Sequence, residues 1–399
     1  MATIRAITLS LGEPHPLRGE SLTRSASFLR SAQARAEAEG HTVQTTRIAT
    51  RPALQDLETY DAAELSAYAR DLSALCDAEG IGYLSLGPAP AHQPAFPLDR
   101  IAALAGILAD HPALNATVQL AYGGDAPRYE AALATADVMR RLADASAGAA
   151  NFRFAMLAMC EPGGPFFPQA YARGRGWSVS VGLQCANVVG DALASVVTPG
   201  SSEDNLARMG AMGEAVRHAL AEHAQPVTRL VRELAQEAGF TYGGVDLSPA
   251  PMGAESIAAA MERAGLGLFG SSGTLALSGV ITAAVKAAAG EVGPAAGYNG
   301  LMLPVLEDAL LGERVAEGRA TVTSLLAYSA VCGTGLDTIP LPGDAPLDAV
   351  ARLLADVATL AWRLRKPLSA RLFLTPGGAA GEMTRFSSPY LTNTRILSL

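Results

Sequence analysis

Residues 3–11 read Thr3-Ile4-Arg5-Ala6-Ile7-Thr8-Leu9-Ser10-Leu11, and from Leu17 to Glu39 the apolar spacing turns helical before stopping at Gly40. A period of two puts alternate side chains on opposite faces of a strand, whereas a period near 3.6 gives one helical face. The same strand-then-helix change recurs along the chain. Strands are expected at Thr42–Ala49, Ile81–Leu86, Thr117–Tyr122, Phe152–Met159, Ser178–Gln184, Phe240–Asp246 and Ser369–Thr375. Helices are expected at Ala62–Glu79, Leu98–Ala109, Pro127–Ala145, Asn187–Val196, Glu203–Ala238, Glu255–Ala264, Thr274–Ala289, Val305–Glu317, Thr321–Tyr328 and Leu347–Arg365. Such alternation predicts an α/β fold with a largely parallel sheet. No linker interrupts it, so residues 1–399 are expected to form a single β/α barrel domain. Pro226 is expected to kink or split the helix that contains it.

The segment Val331-Cys332-Gly333-Thr334-Gly335-Leu336-Asp337-Thr338-Ile339-Pro340-Leu341-Pro342-Gly343-Asp344 follows the apolar run Leu325–Ala330. It reads as a polar turn between buried segments, where scaffolds commonly carry chemistry. Cys332 is the candidate nucleophile, with the backbone N–H groups of Gly333, Thr334 and Gly335 as an anion-receiving nest. Glu307 and Asp308 stand together in an apolar stretch and qualify as acid/base groups or ligands for a hard cation, although Pro304 also marks them as first-turn helix acids. Asp246 ends a strand, the place from which α/β folds present catalytic groups, and could equally cap the next turn.

Two further loops invite a binding role. Ser271, Ser272, Gly273 and Thr274 precede a helix whose first N–H groups could hold a phosphate or carboxylate, without the lysine of a P-loop. Glu161 opens Glu161-Pro162-Gly163-Gly164-Pro165-Phe166-Phe167-Pro168, a loop stiffened by three prolines. The six histidines show no metal-binding spacing. Four cysteines without close pairing argue against a zinc framework or disulfide scaffold and suit a reducing cytoplasm. A net charge of −8 without a basic stripe disfavours nucleic acid as a partner. Ala264–Val285 carries no charge and is long enough to span a bilayer, but its glycines and hydroxyl residues predict a buried loop and helix instead.

Read in order, the phrases RAITLSLG (5–12), EPGGPFFPQAY (161–171), GGVDLSPAP (243–251), FGSSGTL (269–275), GYNGLMLPVLEDALL (297–311), YSAVCGTGLDTIPLPGD (328–344), RKPLSARLF (365–373) and GEMTRFSSPY (381–390) carry a resemblance. The chain, from about Ile4 to Arg395, resembles the domain-of-unknown-function 711 family, also called uncharacterised protein family 0210. The resemblance implies a single large closed ten-stranded β/α barrel similar to that of the pyruvate formate-lyase type glycyl radical enzymes. It implies no reaction, because function resides in sites rather than in folds. Radical enzymes of that type carry Arg-Val-x-Gly-aromatic near the C-terminus, and Thr375–Phe386 does not fit it, so no stored glycyl radical is expected.

These readings converge on a non-radical, lyase- or hydrolase-type enzyme acting on a small, polar, anionic metabolite in the barrel mouth. Cys332, Glu307, Asp308 and Asp246 would be the reacting groups, with Ser271–Thr274, Gly333–Gly335 and Glu161 holding substrate. The cofactor is left open, with a divalent cation allowed by the carboxylates. Expected partners are a small-molecule ligand and further copies of the chain, with no nucleic acid and no membrane, in the cytoplasm. The rival expectation is a non-catalytic metabolite- or cation-binding sensor or scaffold.

Overall fold

The computed structural model describes residues 2–399. Thr3–Leu11 forms strand β1, and the helix after it spans Gly19–Ala38. The expected second strand is two short pieces, Thr42–Val43 (β2) and Thr46–Thr50 (β3), both parallel to β1. Then come Leu84–Ala89 (β4), Leu114–Ala121 (β5), Phe154–Ala158 (β6), Trp177–Gln184 (β7), Thr241–Asp246 (β8), Gly335–Pro342 (β9) and Leu368–Thr375 (β10). All ten belong to one sheet in the order β8-β7-β1-β3-β4-β5-β6-β10-β9, with β2 attached to β1. The central run from β1 to β6 is parallel. The flanking pairs β7–β8 and β10–β9 run antiparallel to it.

The sheet is mixed α/β as expected, but its outer strands β8 and β9 share no ladder with one another. Residues 294–305 lie against both. Val245 N–H donates to the Pro294 carbonyl and Ala296 N–H to that of Val245, while Val305 N–H donates to the Asp337 carbonyl. The expected strand-to-strand closure is therefore replaced, in hydrogen-bonding terms, by an irregular segment between the two edges.

β9 falls in the stretch read above as a polar turn. Pro340 and Pro342 lack the N–H that an interior strand needs, which hides the strand from a propensity reading. They are tolerated because β9 ends the sheet. Pro226 neither splits nor ends its helix, which runs Met209–Ala238. The break falls earlier, at Arg208, after the short helix Ser202–Ala207.

Burial explains the layering. In β5, Leu114, Ala116, Val118 and Leu120 join the main apolar core, while the alternate Asn115, Thr117 and Gln119 are also buried. In β10, Leu368, Ala370, Leu372 and Leu374 join the same core, and Ser369 and Arg371 lie on the other face. One face thus packs under helices such as Glu130–Ser146 and Leu347–Leu364. The other encloses polar side chains instead of exposing them to water. Enclosed polar groups require partners, and that requirement localises the site.

Among the described residues, one helix is long and apolar enough to cross a membrane, Thr274–Val292, and half of its apolar window is buried in the fold. It packs against Met209–Ala238.

Candidate functional site

The polar face of the sheet opens into a narrow cavity of about 80 Å³. β1 contributes Arg5, β3 Arg47, β9 Asp337, and β10 Ser369 and Arg371, while Glu307 enters from the segment after Pro304. Arg5 Nη2 donates to Glu307 Oε2 at 2.8 Å, and Arg371 Nη2 donates to Glu307 Oε1 at 2.6 Å. Arg371 Nε donates to Asp337 Oδ1 at 2.7 Å. All five charged groups are buried. Removing ions from water is costly unless each is paired and hydrogen-bonded, and four of the five satisfy that condition.

Arg47 is the exception. Its Nε donates only to the Thr45 hydroxyl, at 2.9 Å, and its guanidinium lies over the rings of Phe167 and Tyr83 at 5.3 and 5.6 Å. Burial, and then the nearby Arg5, bring its pKa down to about 9. The charged lining comprises three guanidiniums and two carboxylates, one positive charge in excess. Arg371 is held more firmly cationic by Asp337 and Glu307, which outweigh the effect of its burial. It also sits 4.8 Å over the Phe152 ring, which stacks on Tyr390.

Neutral groups complete the lining. Thr334 Oγ1 and Gln169 Oε1 are buried without a hydrogen-bond partner, and both residues face the cavity. Phe166, Tyr298, Met302 and Ala250 belong to a small apolar cluster beside it. Such a cavity suits a small ligand that brings negative charge to Arg47 and hydrogen-bonding atoms to Thr334 and Gln169.

Of the residues singled out in the sequence, Glu307 and Thr334 line this cavity, and the others do not. Cys332 is 1% exposed and sits in the main apolar core, its Sγ accepting the Gly335 N–H at 3.4 Å. The turn it occupies is pinned by Lys366, whose Nζ donates to the Ser329, Ala330 and Cys332 carbonyls. The thiol, expected as a nucleophile, thus sits in the apolar core and not in the arginine cavity. Two of the three N–H groups expected to form a nest are engaged within the fold, that of Gly333 by the Leu301 carbonyl and that of Gly335 by Cys332 Sγ. The glycines serve close packing: a Cβ on Gly333 would lie 2.6 Å from the Gly300 backbone.

The two other acids lie outside this cavity and are engaged by nearby backbone N–H groups and hydroxyls. Asp308 caps the helix Ala309–Ala316 by accepting Leu311 N–H, and its oxygens also take the Ser256 hydroxyl and the Ile257 and Ala258 N–H groups. Asp246 accepts the Ser248 N–H and hydroxyl and the Tyr298 and Asn299 N–H groups, tying the irregular segment to the end of β8. Burial raises the pKa of both, that of Asp246 to about 6.

Ser271, Ser272, Gly273 and Thr274 lie away from the arginines. Gly273 and Thr274 border a small crevice with Met261, Leu266, Phe269 and Leu277, and the N–H groups of Gly270, Ser271 and Thr274 are satisfied locally. Glu161 accepts the Tyr122 hydroxyl at 2.6 Å, outside the arginine cavity. Among the described residues, no three His, Cys, Asp or Glu side chains converge as a cation cage. Arg5, Arg47, Arg371 and Asp337 are not among the candidates that the sequence offers. The available signal was arginine at polar positions of otherwise apolar strands, as in TIRAITLSL and LSARLFLT.

A family model described as "Uncharacterised ACR (DUF711)" matches residues 2–387. A UPF0210 protein of Pyrobaculum islandicum is 33% identical over 397 residues, covering 96% of this chain and 84% of its own length. One from Pyrobaculum aerophilum is 38% identical over 237 residues, 58% of this chain and 51% of that protein. Another, from Acetivibrio thermocellus, is 28% identical over 359 residues, 85% and 76% of the two chains. The alignments thus span between about half and most of these relatives.

Proposed function

The chain belongs to the Uncharacterised ACR (DUF711) family, and from its cavity we propose a non-radical enzyme, of lyase or hydrolase type, for a small anionic metabolite. The observation that carries the reading is Arg47, a buried guanidinium with no carboxylate partner in a cavity that holds one excess positive charge. A carboxylate or phosphate group bound there would supply the missing counter-charge in a site of low dielectric, where such a pair is strongest. Glu307 and Asp337 line the cavity with carboxylates, and Tyr83 and Tyr390 line it with phenols. These are the groups through which a proton would pass to or from a bound substrate. Cys332 has no part in this reading.

The fold assignment extends in the same way. We read the ten strands as a barrel closed through residues 294–305, a shape akin to that of glycyl radical enzymes. Radical storage is left out because Thr375–Phe386 lacks their glycine motif.

The test is thermal-shift titration with inorganic phosphate, acetate and malonate, followed by incubation with a panel of carboxylate and phosphate metabolites and mass detection of products. Saturable stabilisation that is lost in Arg47→Met, with turnover of one panel member, is the expected result. Absence of any anion effect sinks the reading. A sensor is the second reading, favoured by the engagement of both Glu307 oxygens and of Asp337 Oδ1 with arginine, which leaves Asp337 Oδ2 as the one carboxylate oxygen of the pair without an arginine. It predicts the same binding without product.

A further inference from the structure

A second cavity lies at the other end of the strands. The arginine cavity takes Arg47, Asn115 and Ala155 from the first residues of β3, β5 and β6. The second, of about 440 Å³, takes Arg51 from just past β3, Pro88 and His92 from the end of β4 and beyond, and Gln119 and Tyr122 from the end of β5. Arg173 and Tyr171 cover it from the loop that follows Pro168. In parallel α/β sheets the C-terminal strand ends are where ligands bind. Two guanidiniums and no carboxylate line this cavity, and one of the two, Arg51, is paired with Asp56 behind it.

Gln119 points to a ligand. It is 1% exposed, and its Nε2 donates to the Cys160 carbonyl at 3.2 Å. A carbonyl only accepts, so this bond fixes the amide orientation and leaves Oε1 as the free acceptor. That oxygen is buried without a partner, and His92 Nδ1 is likewise unpartnered. A buried acceptor with no donor is costly, and a ligand hydroxyl would satisfy it. Toward the rim, Arg173 is exposed and engages only the Tyr122 hydroxyl, while Arg51 is paired with Asp56 through Nε and Nη2 and turns Nη1 to the Gly174 carbonyl at 3.3 Å. An ammonium donor would meet the Arg173 guanidinium, which has no carboxylate partner, whereas Arg51 already holds Asp56, so a hydroxyl is the better match.

We infer that this cavity is a second binding site, for a small hydroxylated carboxylic acid. Its hydroxyl is set against Gln119 and its carboxylate faces Arg173, with Arg51 Nη1 beside it. The site is independent of the arginine cavity, although the 161–173 loop contributes to both: Phe166, Phe167, Pro168 and Gln169 border the first, and Tyr171 to Gly174 the second.

The experiment titrates the full chain with malate and with succinate, which differ by one hydroxyl, using ligand-observed NMR and calorimetry. One hydrogen bond of ordinary net strength corresponds to about a fivefold preference for malate. That preference is expected in the wild type and in Arg47→Met, which disables the other cavity. It should vanish in Gln119→Leu, and Arg173→Met, a surface change that leaves folding intact, should weaken both ligands. Equal affinities for malate and succinate overturn the proposal, as does a preference that survives Gln119→Leu. A preference lost with Arg47→Met instead assigns the hydroxy acid to the first cavity and removes the second site.

Discussion

Replacing Glu307 by Gln separates the structural role of the buried ion network from its proposed role in ligand binding. Glu307 accepts from Arg5 on one oxygen and Arg371 on the other, and its side chain is 6% exposed. Gln keeps the shape and deletes the charge, leaving three guanidiniums facing Asp337 alone. Breaking a buried pair by removing one partner costs about 3–5 kcal/mol, because the remaining ions stay desolvated without compensation. The same substitution raises the excess charge of the cavity from one to two, so it should tighten anion binding while weakening the fold. Phosphate that binds the folded form alone then restores stability, by about 2.7 kcal/mol at one hundred times its dissociation constant. Urea denaturation followed by tryptophan fluorescence, with and without phosphate, measures both effects in one series. A variant as stable as wild type, or one that phosphate does not rescue, refutes the placement of Glu307 between two arginines in an anion-binding cavity.

The four cysteines are buried, and burial raises the thiols of Cys76 and Cys160 to about 12 and that of Cys185 as well. No thiol should therefore react promptly with Ellman's reagent at pH 8 until the chain unfolds, and one fast thiol in the native state would reopen the case for Cys332. Gly335 has φ +96°, and a Cβ there would sit 2.3 Å from the Ser369 carbonyl oxygen. Gly335→Ala should cost at least about 2 kcal/mol, from a disfavoured conformation and loss of the β9–β10 approach, read as a lowered urea midpoint. His15 titrates at about 4 in the fold because it is buried, so the unfolded chain binds its proton first and stability falls as pH drops from about 6.5 to about 4. Asp246, raised to about 6, acts with the opposite sign: the folded chain holds its proton longer, and stability falls as pH rises from about 4 to about 6. Asp246→Asn removes the second contribution and leaves the first, so its stability should climb with pH across this window more steeply than that of wild type. Parallel profiles would show that Asp246 does not titrate there.

How much of this was legible beforehand depends on the kind of signal. Local periodicity is encoded within a few residues, so Thr3–Leu11 and Ala62–Glu79 emerge with the expected bounds. β9 was hidden because its prolines contradict a strand, and only its place at the sheet edge makes them tolerable. The density of glycine around Cys332 looked like a site. Gly333 and Gly335 instead let backbones approach Gly300 and Ser369 closely, a need created by segments more than thirty residues away. Glu307 was legible and Asp337 was not, although Asp337 lies five residues beyond the thiol that drew attention.

The sequence by itself determined the α/β class, the helix and strand faces, and the family to which the chain belongs, because these depend on side-chain order along a few turns or pleats. Tertiary structure alone decided which polar groups are enclosed together. Arg5, Arg47, Arg371, Glu307 and Asp337 come from five separate stretches, and a guanidinium is just a surface charge until the sheet folds it out of water. Whether it then has a partner depends on three-dimensional distance, which no spacing along the chain records.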